Sequence, residues 1–256
     1  MIENITPLII TFNEAPNIRR TLDRLVWARR IVVIDSGSTD GTLDILRSYP
    51  QVVTIHRPFD NFAGQCNFGL EQVQTPWVLS LDADYELSEA LVAEIATLQA
   101  DETTAGFRAR FIFRIFGRSL RGSLYPSRVV LYRKDRATYV NEGHGHRVTV
   151  SGDIRPLRGP IYHDDRKSLR RWLASQQLYA AQEADYLLSR DRSTLRGFDR
   201  IRLTGWLAPP GALFYTLFVK GCLFEGRAGW YYALQRLLAE TMIALEIIDR
   251  RLQRDG

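Results

Sequence analysis

The chain of 256 residues is long enough for one large domain, or for a domain with an extension, and it can bury a substantial core. Its two cysteines, Cys66 and Cys222, have neither metal-ligand spacing nor the density of a disulfide framework, which indicates a reducing, cytosolic setting. The net charge of +5 is uneven, because residues 1–105 hold 7 Lys and Arg against 15 Asp and Glu, and residues 106–256 hold 27 against 14.

Strands and helices are predicted to alternate through the first 105 residues. The hydrophobic patterns predict strands at 7–11, 31–35, 52–56 and 77–82, and helices at 15–27, 42–49, 63–74 and from Ser88 onward. This order predicts an α/β fold, with a mostly parallel sheet covered by helices and with ligands at the carboxyl ends of the strands. Asn13, Asp35 and Asp82 lie at those ends.

After residue 105 the alternation stops. Residues 106–116, 129–133 and 147–150 have the pattern of antiparallel strands, and residues 169–188 and 229–252 that of amphipathic helices. The intervening segment 205–219 is apolar, but two prolines interrupt it and it is shorter than the ~20 residues of a spanning helix. We therefore expect residues 106–165 to complete the first domain. Residues 166–256 should form a helical extension that contacts a membrane surface or a second subunit.

The most informative motif is the apolar segment Trp77–Leu81, which is followed by Asp82 and Asp84. Two carboxylates one residue apart at the end of a strand suit Mg²⁺ or Mn²⁺ bound together with a diphosphate. Taken alone, such a pair is more often a turn or a helix cap. The pair therefore indicates a metal site only in combination with other motifs of the chain.

Four segments stand in a familiar order along the first ~105 residues. They read Ile-Ile-Thr-Phe-Asn-Glu at 9–14, Val-Val-Ile-Asp-Ser-Gly-Ser-Thr-Asp-Gly-Thr at 32–42, Gln-Cys-Asn-Phe-Gly-Leu at 65–70 and Leu-Ser-Leu-Asp-Ala-Asp at 79–84. Together they resemble family 2 glycosyltransferases. Residues 128–133 and 163–167 are similar to a bacterial branch related to lipopolysaccharide-core glucosyltransferases. The resemblance implies a GT-A fold, a nucleotide-diphosphate sugar donor, a divalent metal and inversion at the anomeric carbon.

The resemblance also implies a donor-nucleotide site and a metal site. The donor-binding residues implied are Thr11, Asn13, Glu14, Asp35, Gln65, Asn67 and Asp82. Asp35 is expected to accept a hydrogen bond from the base. Gln65 and Asn67 are expected to open a helix whose N-terminus suits a diphosphate, although helix capping explains them equally well. Asp84 is the implied metal ligand, assisted by Asp82 and by His163, for which the alternative is a hydrogen-bonded histidine at a strand end.

Inversion also requires a general base for the acceptor hydroxyl. The segment at 140–146 places Glu142, His144 and His146 among glycines that let a backbone approach a ligand, and we rank Glu142 first and His144 second. A polar turn with solvated histidines is the alternative. A run of basic residues follows at Arg166, Lys167, Arg170 and Arg171. It would bind a diphosphate or a lipid phosphate, or it would face solvent.

These observations predict a cytoplasmic, membrane-peripheral, inverting glycosyltransferase at the inner face of the cytoplasmic membrane. Its acceptor would be a bacterial surface glycan or a lipid-linked glycan, and an anionic membrane and a second copy of the chain would be further partners. A nucleotidyltransferase would need a Gly-rich basic loop after the first strand, where this chain reads Phe-Asn-Glu-Ala at 12–15. A non-catalytic membrane scaffold is the other alternative. The basic residues come with no nucleic-acid motif, so nucleic acid is not an expected partner.

Overall fold

The computed structural model describes residues 1–142, 145–195 and 197–255, without the side chains of Glu142, His146 and Asp255. The chain forms two compact units. The first consists of Met1–Gly117, Tyr125–Asn141 and Gly145–Arg166, and the second mainly of Arg118–Leu124 and Lys167–Gly256. The divisions that we predicted after residues 105 and 165 rest on sequence character and stay a prediction.

A seven-stranded sheet forms the centre of the first unit, in the order β12-β6-β9-β4-β1-β2-β3. Its strands are β1 (Ile5–Thr11), β2 (Ile31–Asp35), β3 (Val52–His56), β4 (Trp77–Asp82), β6 (Thr104–Ala109), β9 (Arg128–Arg133) and β12 (Asp153–Pro156). The two pairs that β9 makes are antiparallel and the other four are parallel. The predicted α/β fold with a mostly parallel central sheet is confirmed.

Helices cover this sheet. They are α1 (Ile18–Asp23), α2 (Thr42–Arg47), α3 (Phe62–Gln72) and α4 (Glu89–Thr97). Every residue of β2 is buried, as expected for a parallel strand that is covered on both faces. Gly69 allows α3 to pack closely, since a Cβ atom there would lie 2.6 Å from the side chain of Leu8 on β1. The helix α1 is shorter than predicted at both ends, because residues 14–18 form a turn that contains Pro16 and residues 22–28 form turns after the helix.

Two smaller sheets complete the first unit. In one, β13 (Ile161–His163) lies between β5 (Tyr85–Leu87) and β7 (Phe111–Ile115), antiparallel to the former and parallel to the latter. In the other, β10 (Ala137–Glu142) pairs with β11 (Gly145–Val150). The prediction of a single strand at 106–116 was wrong. This segment forms two strands, β6 and β7, which belong to different sheets and are separated by Arg110.

The second unit contains the short strand β8 (Arg118–Ser119) and four helices. These are α5 (Leu169–Ser189), α6 (Gly197–Arg202), α7 (Ala208–Phe214) and α8 (Gly226–Asp255), and a π turn, Tyr215–Val219, continues α7. The predicted helical C-terminal extension is confirmed. Arg202 ties three helices together, because its guanidinium bonds Glu240 on α8 at 2.7 and 2.8 Å and Glu183 on α5 at 3.0 Å. Among the described helices, none has both the length and the apolar character needed to cross a membrane.

Candidate functional site

Four neighbouring parallel strands of the first unit end at one edge of the central sheet. Thr11 at the end of β1 is in register with Asp35 at the end of β2, and Asp35 with His56 at the end of β3. On the other side of β1, Ile10 is in register with Asp82. Adjacent strands lie about 4.8 Å apart, so the predicted residues Thr11, Asp35 and Asp82 are brought together at this edge.

Asp35 organises the turn that follows β2. Its side chain is buried, and its Oδ2 accepts hydrogen bonds from the backbone N–H groups of Gly37 and Ser38, both at 2.9 Å. The Ser38 hydroxyl donates to Oδ1. Gly37 has a φ of +94°, a conformation that glycine adopts without strain. The carboxylate therefore fixes the turn in this structure, and its predicted contact with a base stays a prediction.

The loop after β1 is fastened to the same turn. Asn13 has a φ of +57°, which is uncommon for a residue with a side chain. Its backbone N–H donates to the Ser38 hydroxyl at 2.7 Å, and its Oδ1 accepts from the N–H of Thr39 at 2.7 Å. The N–H of Glu14 donates to the Thr42 hydroxyl at 2.7 Å. These bonds stabilise the strained conformation of Asn13 and join the two loops into one rigid edge.

Asp82 and Asp84 differ in their surroundings. Asp82 ends β4 and is partly exposed, and its carboxylate has no hydrogen bond or ion pair within the described part of the chain. Asp84 lies two residues beyond the end of β4, so the alternation of side chains along a strand does not set the direction of its side chain. Instead its Oδ2 lies 3.1 Å from His163 Nε2. Thr21 supports this turn by donating to the Ala83 carbonyl at 2.8 Å.

His163 sits in an aromatic enclosure at the end of β13. The rings of Phe113, Tyr125 and Tyr85 surround it, with centroids 4.7, 4.8 and 5.3 Å away. Its Nδ1 is buried and has no hydrogen-bond partner among the described residues. Burial acts to lower the pKa of His163, but the charge of Asp84 and the hydrogen bond to it outweigh burial and raise the pKa. The histidine thus holds Asp84 in place.

Two tyrosines and an arginine border the aspartates. The hydroxyls of Tyr85 and Tyr125 share a hydrogen bond, and burial raises the pKa of both phenols, so both stay neutral. The Arg128 guanidinium lies over the Tyr125 ring, 4.8 Å from its centroid. Burial acts to lower the pKa of Arg128. Electrostatic interactions with Tyr85 and Tyr125, and then with Asp82 and Asp84, outweigh burial and raise the pKa. Arg128 therefore brings positive charge next to the two carboxylates.

A buried asparagine connects the loop after β1 with the segment after β13. Asn17 donates from Nδ2 to Glu14 Oε2 at 2.8 Å and to Asp165 Oδ1 at 2.9 Å. Its Oδ1 accepts from the N–H of Arg166 at 2.9 Å. Asn17 is not among the residues predicted from the motifs. No local pattern would have identified it, because its partners lie as far as 149 residues away.

The helix α3 begins earlier than predicted. Asn61 caps it by accepting from the N–H of Gly64, so Gln65 and Asn67 do not open the helix and the prediction was wrong on this point. Gln65 is buried and links the residues that follow β2 and β3. Its Nε2 donates to Ser36 Oγ and its Oε1 accepts from Arg57, each at 2.9 Å. The amide of Asn67 exchanges two hydrogen bonds with the backbone of Tyr139.

The basic run at 166–171 is divided between the two units. Arg166 is bound within the first unit, where its guanidinium donates to Asp164 Oδ2 at 2.8 and 3.0 Å. Asp164 is fully buried and also accepts from the N–H of Gly117. Arg166 therefore holds the segment after β13. Lys167, Arg170 and Arg171 belong to the second unit.

The candidate general bases lie outside the described part of the site. Residues 143 and 144, including His144, are not described, and neither are the side chains of Glu142 and His146. Their predicted role stays a prediction.

A divalent cation fits the carboxylates that the structure brings to this edge. Among the described residues, no group of three or more His, Cys, Asp and Glu side chains is placed to hold a metal ion. Mg²⁺ and Mn²⁺ sites completed by substrate phosphates need only one or two protein carboxylates. Asp82, whose carboxylate has no partner among the described residues, and Asp84, held by His163, would supply such a donor set.

The family profile described as Glycosyl transferase family 2 matches residues 7–158, more than half of the chain. The chain belongs to glycosyl transferase family 2. The family recognised from the four motifs is thereby confirmed. The matched range includes Thr11, Asp35, Asp82 and Asp84 of this family 2 member and ends before His163.

Curated relatives of this family 2 member include two bacterial proteins. It is 25% identical over 260 residues to the lipopolysaccharide core biosynthesis glycosyltransferase LpsC of Rhizobium meliloti (strain 1021), covering 96% of this chain and 92% of LpsC. It is 27% identical over 205 residues to an uncharacterized glycosyltransferase of Rickettsia bellii (strain RML369-C), covering 74% of this chain and 69% of that protein. Among solved structures, S. aureus TarS 1-349 in complex with UDP-GlcNAc matches with a TM-score of 0.48 and 14% identity, over 97% of this chain and 92% of that TarS 1-349 chain.

Proposed function

We propose that this protein is an inverting glycosyltransferase that moves a sugar from a nucleotide-diphosphate donor to an acceptor hydroxyl. The observation that carries the proposal is that Asp35 and Asp82 end the two strands on either side of β1, at one edge of the sheet, and that Asp84 follows Asp82 and is held by His163. Nucleotides bind at this edge in open α/β sheets. The rigid loop around Asn13 and Ser38 would receive the nucleoside, because its hydrogen bonds fix it before any ligand binds.

Asp82 and Asp84 would hold the diphosphate end of the donor through Mg²⁺ or Mn²⁺. Such an ion, when bound, neutralises the negative charge that develops on the leaving nucleotide. The Asp82 carboxylate has no partner among the described residues, and His163 holds the Asp84 side chain through the 3.1 Å contact. We propose that His163 acts through Asp84, as a residue that orients a ligand. Direct ligation by His163, which the sequence analysis predicted, would require this contact to open.

Arg128 would also stabilise the negative charge on the diphosphate of the donor. The guanidinium is held over Tyr125 and lies in the field of Asp82 and Asp84, so it can approach a diphosphate without moving far. Arginine binds phosphate oxygens through two parallel N–H groups, and it keeps its charge at every relevant pH.

An acceptor hydroxyl must lose its proton as the new bond forms, and we propose Glu142 or His144 as the base. The nucleophile attacks from the face opposite the leaving group, which gives inversion. The similarity to LpsC suggests a lipopolysaccharide-core or related lipid-linked glycan as the acceptor. The cytoplasm is the proposed compartment, since nucleotide sugars and a reduced Cys66 fit there.

A nucleotide-sugar screen tests the proposal. The purified protein is heated with each donor and Mn²⁺, and a bound donor raises the melting temperature by mass action. The stabilising donor is then incubated with a lipopolysaccharide-core acceptor, and the products are identified by mass spectrometry. Transfer releases a nucleoside diphosphate, whereas a nucleotidyltransferase acting on a sugar phosphate releases pyrophosphate. Absence of binding by any nucleotide sugar would favour the scaffold alternative.

A further inference from the structure

The segment at residues 206–219 of the second unit exposes a face that carries no charge and in which four of eight residues are aromatic. Trp206 is 68% exposed, Phe214 61% and Phe218 56%. We call the exposed set the aromatic face, and it consists of Trp206, Leu207, Pro210, Gly211, Phe214, Tyr215, Phe218 and Val219. Solvent-facing helix surfaces usually carry charged and polar side chains. Here no exposed residue between 206 and 219 is charged.

Packing on the opposite side holds this face outward. Ala208, Ala212, Thr216 and Leu217 are buried, and α7 packs against α8. The Thr216 hydroxyl donates to the Ala212 carbonyl at 2.7 Å, within the stretch where α7 passes into the π turn. The exposed rings of Phe214 and Phe218 lie next to each other, with centroids 5.0 Å apart. The exposure is therefore a property of a packed helix and its fixed orientation in the unit.

A basic rim follows the aromatic face. It consists of Arg118, Arg121, Lys220 and Arg227, which have no ion pair within the described part of the chain. The Arg118 guanidinium lies close to Gly226, where an added Cβ atom would be 3.6 Å from it. The backbone N–H of Arg121 donates to Glu225 Oε1. Phe224 projects from this rim and is 86% exposed.

Carboxylates are missing from the same stretch of sequence. From residue 200 to residue 224 there is no Asp or Glu. The first one after it, Glu225, accepts hydrogen bonds from the backbone N–H groups of Arg121 and Gly122 through Oε1. The charge next to the aromatic face is therefore positive, and it complements an anionic surface.

We propose that the aromatic face and the basic rim bind the surface of an anionic lipid bilayer. Phenylalanine and tryptophan rings enter the boundary between headgroups and acyl chains, and arginine and lysine pair with lipid phosphates. A segment of twelve helical residues from 208 to 219 spans about 18 Å, less than the hydrocarbon thickness, so it lies in the interface. A protein partner would not require every charge on the rim to be positive. The inference is independent of the proposed activity.

Co-sedimentation with vesicles tests the proposal. The full chain is mixed with vesicles of phosphatidylcholine and phosphatidylglycerol, and with vesicles of phosphatidylcholine alone, at low and at high ionic strength. We expect binding to the anionic vesicles at low ionic strength and release by salt. Phe214→Ser with Phe218→Ser should lower the partition coefficient about tenfold or more, since two exposed rings no longer enter the bilayer. Lys220→Glu with Arg227→Glu should lower it by a similar factor.

Matched controls separate the surface from general effects. Leu169→Ser with Leu178→Ser removes two exposed apolar side chains from α5, and Arg192→Glu with Arg254→Glu reverses two exposed charges elsewhere in the second unit. Both controls should bind vesicles as the unchanged protein does. Circular dichroism verifies that each variant folds.

Two results would overturn the proposal. Equal losses in the test and control variants would show that the aromatic face has no special part in binding. Failure of the unchanged protein to bind anionic vesicles would show that this face is not a membrane-binding surface. If light scattering then shows a dimer that the Phe214→Ser and Phe218→Ser variant dissociates, the occupant of the face is a second copy of the chain.

Discussion

Replacement of Asp35 by alanine should destabilise the first unit. The change removes the acceptor of three hydrogen bonds, two from the backbone N–H groups of Gly37 and Ser38 and one from the Ser38 hydroxyl. The hydroxyl can turn to another acceptor, but the two backbone groups cannot. Each donor left without a partner costs about 1–3 kcal/mol, and water entering the space of the lost carboxylate offsets part of it. We expect the free energy of unfolding to fall by about 2–4 kcal/mol.

Urea unfolding of Asp35→Ala and of a matched control measures this loss. Asp44→Ala removes a carboxylate from α2 whose side chain is 79% exposed and pairs only with Arg47 in the described structure, so it should change the free energy of unfolding by less than about 0.5 kcal/mol. A change in Asp35→Ala no larger than in the control would refute the reasoning, because it would mean that the buried carboxylate does not hold the turn.

The same variant tests the nucleotide contact. If Asp35 accepts a hydrogen bond from the base, its loss should weaken nucleotide affinity by about 1–3 kcal/mol in calorimetry at a temperature where the variant is folded. Ser38→Ala keeps the carboxylate but removes the hydroxyl that donates to Asp35 and accepts from the Asn13 N–H, so it should weaken nucleotide affinity less than Asp35→Ala does. Equal weakening in both variants would show that the turn, and not the carboxylate, binds the base.

Three further predictions concern the charged groups of the site. Asp84→Ala should abolish metal-dependent transfer and leave circular dichroism unchanged, whereas Asp82→Asn should weaken nucleotide binding more mildly; wild-type turnover in Asp84→Ala would exclude the metal assignment. Glu142→Gln should remove transfer with little effect on donor affinity, because a base acts only when the hydroxyl loses its proton; an active Glu142→Gln beside a dead His144→Ala would identify the histidine. Arg128→Lys should lower kcat/KM by about 10- to 100-fold through the loss of bidentate phosphate binding, and a rate equal to wild type would contradict that role.

Local sequence patterns predicted most of the central sheet. The bounds of β2, β3 and β4 agree with the predicted strands, since each is a short, largely apolar run between turn residues and pairs in parallel with at least one neighbouring strand. Helix ends were less predictable. The periodicity placed the start of α3 within one residue, but the capping residue is Asn61, and Gln65 and Asn67 lie inside the helix. Hydrophobic periodicity reports which face is buried, and it says little about where the capping hydrogen bonds form.

The candidate site divides in a similar way. Motif order identified Asp35, Asp82 and Asp84, and the topology of a parallel sheet predicted that strand ends would meet. The partners of these residues could not be predicted in the same way. Asp84 is held by His163, and Asn17 joins Glu14 to Asp165, across separations of 79 and 148 residues. No periodicity extends over such distances, because contacts of this kind form only when β13 is placed beside β5.

By itself the sequence determined the family, the order of strands and helices in the first 105 residues and the opposite charge of the two halves. These properties depend on residue identity and short spacing, which the chain carries before it folds. Only the tertiary structure decided which carboxylates are already bonded, as Asp35 is to its turn, and which has no partner in the described structure, as Asp82. It also decided that the apolar segment at 206–219 turns its aromatic residues outward. The physical reason is that burial and hydrogen bonding are set by neighbours distant in sequence, and only folding brings those neighbours together.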